Sequence, residues 1–201
     1  GESIVLFDGA GSIAHAKLRD IKKRPLSSWA EIITKEFHPK PIRRTRLASA
    51  LPKGDRQGLM LELVTQLGIT DFIPLLCARS ISRPGKSGYA RWERILIETC
   101  KQCQRAWLPD LHSESSPSDI LSNKLLTDEL VFLADGHGKS VKDISIDDRA
   151  SDQLLFVGPE GGFTIEERKD ILKRGAVPVC LSENNLRIEA AAAAIVSLVR
   201  G

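Results

Sequence analysis

The residues best suited to chemistry lie in the last quarter of the chain. Gly158-Pro159-Glu160-Gly161-Gly162-Phe163-Thr164 follows the apolar run Leu154–Val157 and precedes a helical pattern. Glycines let a backbone approach a ligand closely and reach conformations that other residues avoid. In an open parallel sheet, ligands bind beyond the carboxyl ends of the strands, where such a loop would sit. A tight strand-to-helix connection with no ligand would also use these residues. A phosphate cradle is a third reading, but neither G-x-x-x-x-G-K-[ST] nor G-x-G-x-x-G is present, and Glu160 would repel a phosphate. The second stretch is Leu181-Ser182-Glu183-Asn184-Asn185-Leu186-Arg187-Ile188-Glu189, again between a strand and a helix. A polar loop with one arginine could hold a nucleoside and a charged partner. It could equally be a plain helix start, with Glu189 matched to the helix dipole.

Weaker candidates lie upstream. Glu98, Gln102 and Arg105 are spaced by four and three, which predicts one shared helix face. That face is either a solvated, salt-bridged surface or an RNA contact. Lys53-Gly54-Asp55 reads as a turn or as a contact with RNA phosphates. His15, His38, His112 and His137 are scattered without metal-ligand spacing. His137, in Asp135-Gly136-His137-Gly138, follows a predicted strand and is either a turn residue or part of a site wall. Cys100 and Cys103 form a lone C-x-x-C, while Cys77 and Cys180 stand apart. No second pair or histidine has zinc spacing, so all four read as ordinary reduced cysteines and no metal is expected.

Positioning these loops requires an alternating set of strands and helices. Strands are predicted at 3–7 and 12–18 around an Asp8-Gly9 hairpin turn. The proline-punctuated, basic stretch 20–45 is predicted as the rest of a small β module plus a linker. From residue 46 the pattern alternates. Strands are predicted at 47–51, 72–77, 130–134, 154–157 and 177–181. Helices are predicted along Leu59, Leu63 and Leu67 up to Gly68, from Tyr89 to Cys103, from a Thr164/Glu167 capping box to Lys173, and over 188–199. The Ser-rich segment 110–120 is predicted as a loop. The pattern argues for an α/β fold, with a mostly parallel sheet covered by helices on both faces.

Composition sets wider bounds. The chain has 201 residues, 42% of them hydrophobic, enough for one α/β domain and a smaller module. Its net charge is +3, from 29 basic and 26 acidic residues, a balance that permits an RNA partner without requiring one. No apolar run approaches the ~20 residues of a membrane span, and no signal-peptide pattern opens the chain. Gly1-Glu2 leads straight into Ile4-Val5-Leu6-Phe7. That entry into a strand predicts a chain lacking its first strands.

Taken in order, these motifs resemble the RsmE family, the SPOUT-class methyltransferases that act on N3 of a uridine in 16S ribosomal RNA. Ile4–Gly9 looks like a strand and turn of the family's amino-terminal PUA-like barrel, and Leu51-Pro52-Lys53-Gly54-Asp55 like the start of its catalytic domain. Gln66-Leu67-Gly68-Ile69 with Ile73-Pro74 is similar to its E-L-G-V and I-x-P elements. Arg91-Trp92 and the run from Glu98 to Arg105 resemble its R-W and E-A-x-x-Q-x-x-R helix. Gly158–Gly162 matches its G-P-E-G-G, and Leu186-Arg187 with Glu189 its L-R-x-E. The chain departs from the family pattern at Gln66, Ser182, Asn184, Asn185 and Ala190.

The resemblance implies an incomplete PUA-like barrel and linker over 1–45 and a SPOUT domain with a carboxyl-terminal trefoil knot over 46–201. It implies S-adenosylmethionine (SAM) as cofactor, held by the loop after Leu133, by Gly158, Glu160, Gly161 and Gly162, and by Leu181, Ser182 and Leu186. Gly161 is expected where the loop backbone meets the adenosine side. RNA would touch Lys53, Gln102 and Arg105. Arg187 would stabilise charge on the target base or a phosphate, since arginine stays protonated. Glu189 or Glu160 would take the imide proton. The implied partners are 16S rRNA or the small ribosomal subunit and a second copy of the chain, in the cytoplasm. The small-residue run Ala190–Ala194 suits close helix contact between copies, or packing on the chain's own sheet. A SPOUT ribose 2′-O-methyltransferase, a non-catalytic RNA-binding module and a phosphate-binding hydrolase are the alternatives.

Overall fold

The structure, a computed structural model, describes residues 1–23, 26–85, 87–122, 129–144 and 151–200. The first part is an antiparallel sheet of β1 (Ser3–Phe7), β2 (Ser12–Lys23) and β3 (Leu26–Phe37), in that order. The Asp8 side chain closes the β1–β2 turn by accepting from the Ala10 and Ser12 amides at 2.8 and 2.9 Å. Gly9 supplies the positive φ of 71° that the turn needs. The stretch 20–45, predicted as the rest of a small β module plus a linker, carries the end of β2 and all of β3, and 38–44 connects to the next sheet. The alternation that marks a strand is broken by register shifts at His15/Ala16 and Leu18/Asp20, so the period of two is lost. Val5, Ile21, Trp29, Ile32 and Phe37 are each more than half exposed on this sheet.

The second sheet holds β4 (Thr45–Ser49), β5 (Asp71–Pro74), β6 (Asp110–Leu111), β7 (Leu130–Ser140), β8 (Gln153–Val157) and β9 (Val177–Cys180). Its order is β6-β5-β4-β8-β7-β9, and every pairing is parallel. Successive side chains point to opposite faces. Leu47, Leu155 and Val157 therefore join one core with residues of α1 (Arg56–Gln66), α2 (Gly88–Gln102) and α5 (Ile188–Arg200). Ala48, Leu154 and Phe156 join the other with Ile120 of α3 (Pro117–Ser122) and Ile171 of α4 (Ile165–Lys173). Cover on both faces explains why these strands read as continuous apolar runs. No helix among the described residues is long and apolar enough to cross a membrane.

The segment predicted as a loop at 110–120 contains β6 and the start of α3. Two paired residues are too few to show a period. The serines that suggested a loop are a helix start: Ser116 Oγ accepts from the Asp119 amide at 3.1 Å, and Asp119 Oδ2 accepts from the Ser116 amide at 3.3 Å. Pro117 follows as the first helical residue, where its missing N–H costs nothing.

The two sheets are joined through Trp107. Its indole N–H donates to the His38 carbonyl at 2.9 Å, and its ring meets Phe37 edge-on. At the amino ends of the parallel strands, Asp71 is fully buried. It accepts from Arg44 Nε at 3.2 Å, from Thr70 Oγ1 at 2.7 Å and pairs with His112 Nε2 at 2.8 Å. Burial pushes its carboxyl up, but the hydrogen bonds from His112, Arg44 and Thr70 outweigh that and hold it well below the usual carboxylate range. Elsewhere burial pushes the Cys77 thiol up to about 12 and the Cys100 thiol up to about 11.

Candidate active site

β8, β7 and β9 are neighbours in the sheet; β8 and β9 end at one cleft of about 780 Å³, and the irregular middle of β7 lines it as well. The first wall is Leu133 to His137, the second Val157 to Phe163 without Gly161, and the third Val179 to Ile188. This is the size expected of a pocket for a drug-sized or cofactor-sized ligand. Leu133, Val157, Val179 and Ile188 give it an apolar part, and the rest of the lining comes from the three loops.

Local sequence shapes each wall. In β7 the register shifts between Ala134 and Lys139, both of which face Val179. Asp135–Gly138 therefore loops out of the strand. Asp135 shapes this excursion by accepting from the His137 amide at 2.9 Å, and Arg168 Nε of α4 donates to its other oxygen at 2.6 Å. Gly138 is needed because a Cβ there would lie 2.4 Å from the Pro178 carbonyl carbon. The second wall turns at Gly162, whose φ is +67°, and hands over to α4 through a reciprocal Thr164/Glu167 capping box. Beside Gly136 and Gly162 there is nothing within 4 Å of an added Cβ. The third wall is folded by Ser182, whose Oγ accepts from the Asn184 amide at 3.1 Å and whose carbonyl accepts from the Cys180 thiol at 3.3 Å. The Arg187 carbonyl accepts the Ala191 amide at 2.9 Å, so Arg187 stands at the mouth of α5. Its side chain is exposed and lines the cleft.

The structure thus brings Leu133, Gly158, Glu160, Gly162, Leu181, Ser182, Leu186 and Arg187 to one cleft. Gly161 does not line it. Its position faces the Arg79 side chain, whose Cδ would be 3.4 Å from a Cβ there. Glu189 is also outside the lining. It is buried in the first turn of α5, with Oε1 3.5 Å from Arg56 Nη1 and Oε2 without a hydrogen-bond partner. Lys53 and Gln102 are exposed but away from the cleft walls.

The shared face of Glu98, Gln102 and Arg105 is not formed. Helix α2 stops at Gln102, and Gln104 takes a positive φ of 57°. Arg105 then folds inward, donating to the Thr65 and Ile69 carbonyls at 2.6 and 2.8 Å. Those bonds tie Arg105 to the last turn of α1 and the segment after it, a structural task for the guanidinium. Sequence reasoning missed Asp135 and Arg168. Asp135 had a signal, since it directly follows the Leu130–Ala134 run. Arg168 had none, because its partner is 33 residues away.

An open parallel sheet with a ligand-sized cleft at the carboxyl ends of neighbouring strands defines a class of α/β enzymes and binding proteins. Within it, residues 38–200 match the family model for the RNA methyltransferase domain. The ribosomal RNA small subunit methyltransferase E of Rickettsia conorii is 31% identical over 99% of this chain and 80% of its own. The protein of that name from Synechocystis is 28% identical, and this chain spans 62% of its length. The crystal structure of the Neisseria gonorrhoeae protein of that name, bound to S-adenosyl methionine, is 28% identical, with a TM-score of 0.82 over 98% of this chain and 81% of that one. The chain belongs to the RNA methyltransferase family, in the branch of ribosomal RNA small subunit methyltransferase E.

Proposed function

We propose that this chain methylates N3 of a uridine in 16S rRNA, with SAM bound in the three-loop cleft. The observation that carries the reading is the convergence of the three loops on one cleft with Arg187 at its edge. The residues present fit SAM. The apolar part suits an adenine ring, the polar residues Ser182, Asn184 and Asn185 in the lining suit a nucleoside, and the room beside Gly136 and Gly162 admits a ligand close to the main chain. When bound, SAM supplies the activated methyl group. The chain's own part is alignment and charge. Holding the target nitrogen in line with the methyl is worth roughly 7–11 kcal/mol in favourable cases.

Arg187 meets the negative charge that builds on the uracil oxygens or a neighbouring phosphate. The imide proton leaves to Glu160, a carboxylate on the glycine-loop wall of the cleft, a step worth ~10²–10⁴-fold. Glu189, turned away and paired with Arg56, fixes the start of α5 and with it Arg187. The target base flips out of its surroundings to reach the cleft. Lys53 and Gln102 offer exposed contacts to the RNA.

The β1–β3 sheet is part of a PUA-like barrel that helps hold RNA, with its exposed apolar residues belonging to the barrel interior or an RNA contact. The carboxyl-terminal segment is threaded as a trefoil knot, and the working unit is a cytoplasmic homodimer. Nucleoside analysis of small-subunit rRNA after incubation with enzyme and labelled SAM tests the assignment. N3-methyluridine is the expected product. A 2′-O-methylated nucleoside would move the chain to ribose methylation, and no labelled nucleoside would refute methyl transfer.

A further inference from the structure

Behind the glycine loop lies an arginine that the catalytic reading does not use. Arg79 Nη1 donates to the Gly161 carbonyl at 2.7 Å and approaches the Phe163 carbonyl at 3.4 Å. Neither Arg79 nor Gly161 lines the cleft, so this contact reaches the loop from outside its ligand side. No backbone N–H is bonded to either carbonyl among the described residues. The Arg79 stem also covers Gly161, with Cδ and Cβ 3.4 and 3.6 Å from the place of a Cβ.

Arg79 is itself held in place. The turn that carries it is closed by the Ser80 amide on the Cys77 carbonyl at 3.0 Å and by the Cys77 amide on Ser80 Oγ at 3.0 Å. Leu75 and Cys77, just before it, are buried in the α3/α4 core. A second anchor runs through Glu167. Its Oε1 accepts from the Ala78 amide at 2.7 Å, while its Oε2 accepts from Thr164 at 2.8 Å in the α4 cap. One carboxylate thus ties the Arg79 turn to the end of the glycine loop. A loop whose carbonyls would otherwise face solvent, and whose turn rests on a glycine in the left-handed region, has several shapes open to it.

We propose that Arg79 is a positioning residue, which holds the Gly158–Gly162 loop in its ligand-ready shape through the Gly161 and Phe163 carbonyls. The proposal rests on the reading of the cleft as a SAM site. The Arg79 stem lies at van der Waals distance from position 161, so it packs along the outer side of the loop while its head binds the carbonyls.

The test compares the intact chain with Arg79→Met, which keeps the stem and removes the donors, and Arg79→Lys, which keeps the charge. In Arg79→Met, amide hydrogen exchange at residues 161–164 should speed up about tenfold, the loss expected for a hydrogen bond from a charged donor at an exposed site. KM for SAM should rise by a similar factor, about tenfold, while kcat at saturating SAM stays within about twofold. Arg79→Lys should fall between the two. Exchange and KM equal to the intact chain's would overturn the brace. Faster exchange in every strand with a general loss of stability would overturn it too, because Arg79 would then be a global stabiliser. If the intact chain fails to bind SAM, the SAM reading falls, while the exchange comparison still decides whether Arg79 holds the loop.

Discussion

Replacing Gly138 with alanine should dismantle one side of the cleft, and the size of the effect follows from the packing. The added Cβ would lie 2.4 Å from the Pro178 carbonyl carbon, 2.5 Å from the Val179 nitrogen and 2.6 Å from the Pro178 oxygen. These separations fall roughly 1 Å short of ordinary van der Waals contact. The atoms are backbone in β9, so no side-chain rotation relieves the clash. β7 and β9 must part where Lys139 pairs with Val179. Overpacking of this kind costs about 1–3 kcal/mol, and a backbone clash belongs at the upper end. At about 3 kcal/mol, a chain of this size should lose roughly 6–12 °C in Tm. SAM binding should weaken with it, because the third wall starts at Val179. Gly136→Ala is the control, with nothing within 4 Å of its added Cβ. It should melt within about 2 °C of the parent, like most surface substitutions. The assay is a thermal melt of each variant beside a SAM titration. A Gly138→Ala protein with the parent's Tm and SAM affinity would refute this packing.

Other outcomes follow from the same structure. Arg187→Ala should slow methyl transfer by roughly 10- to 150-fold in single-turnover assays while SAM affinity stays within a few-fold; equal loss of both would make Arg187 a structural residue. The depressed Asp71 carboxyl contributes stability that is fully present above the unfolded value near ~3.9 and is lost as pH falls below it. Asp71→Asn should therefore flatten the acid limb of a stability–pH curve, and Asp71→Ala, which strands Arg44, should cost about 3 kcal/mol in urea unfolding at neutral pH. An unchanged acid limb in Asp71→Asn would show that other groups control it. Light scattering at micromolar concentration should give the mass of two chains, and a single-chain mass would count against the dimer.

Much of this site could be read from the sequence because its parts are local. Gly158–Gly162 and Thr164/Glu167 announce a turn and a cap within a few residues, and the final helix follows from its own apolar face. The parts that escaped are held by distant partners or by geometry with no period. The spacing of Glu98, Gln102 and Arg105 predicts one helix face, but α2 ends at Gln102 and the positive φ of Gln104 turns Arg105 inward. Glu189 looked like a site residue from its motif, yet the first turn of α5 aims it at Arg56. Arg79 lies 82 residues from Gly161, so no local pattern could join them. The long strands of the first sheet were hidden by their bulges, and β6 by its brevity.

The most direct measurement is isothermal titration of the intact chain with SAM, with ATP as the comparison ligand. One SAM bound per chain is expected, with affinity lost in Gly138→Ala and kept in Arg187→Ala. Heat with ATP and none with SAM would contradict the assignment of the cleft and return the glycine loop to the phosphate-binding reading.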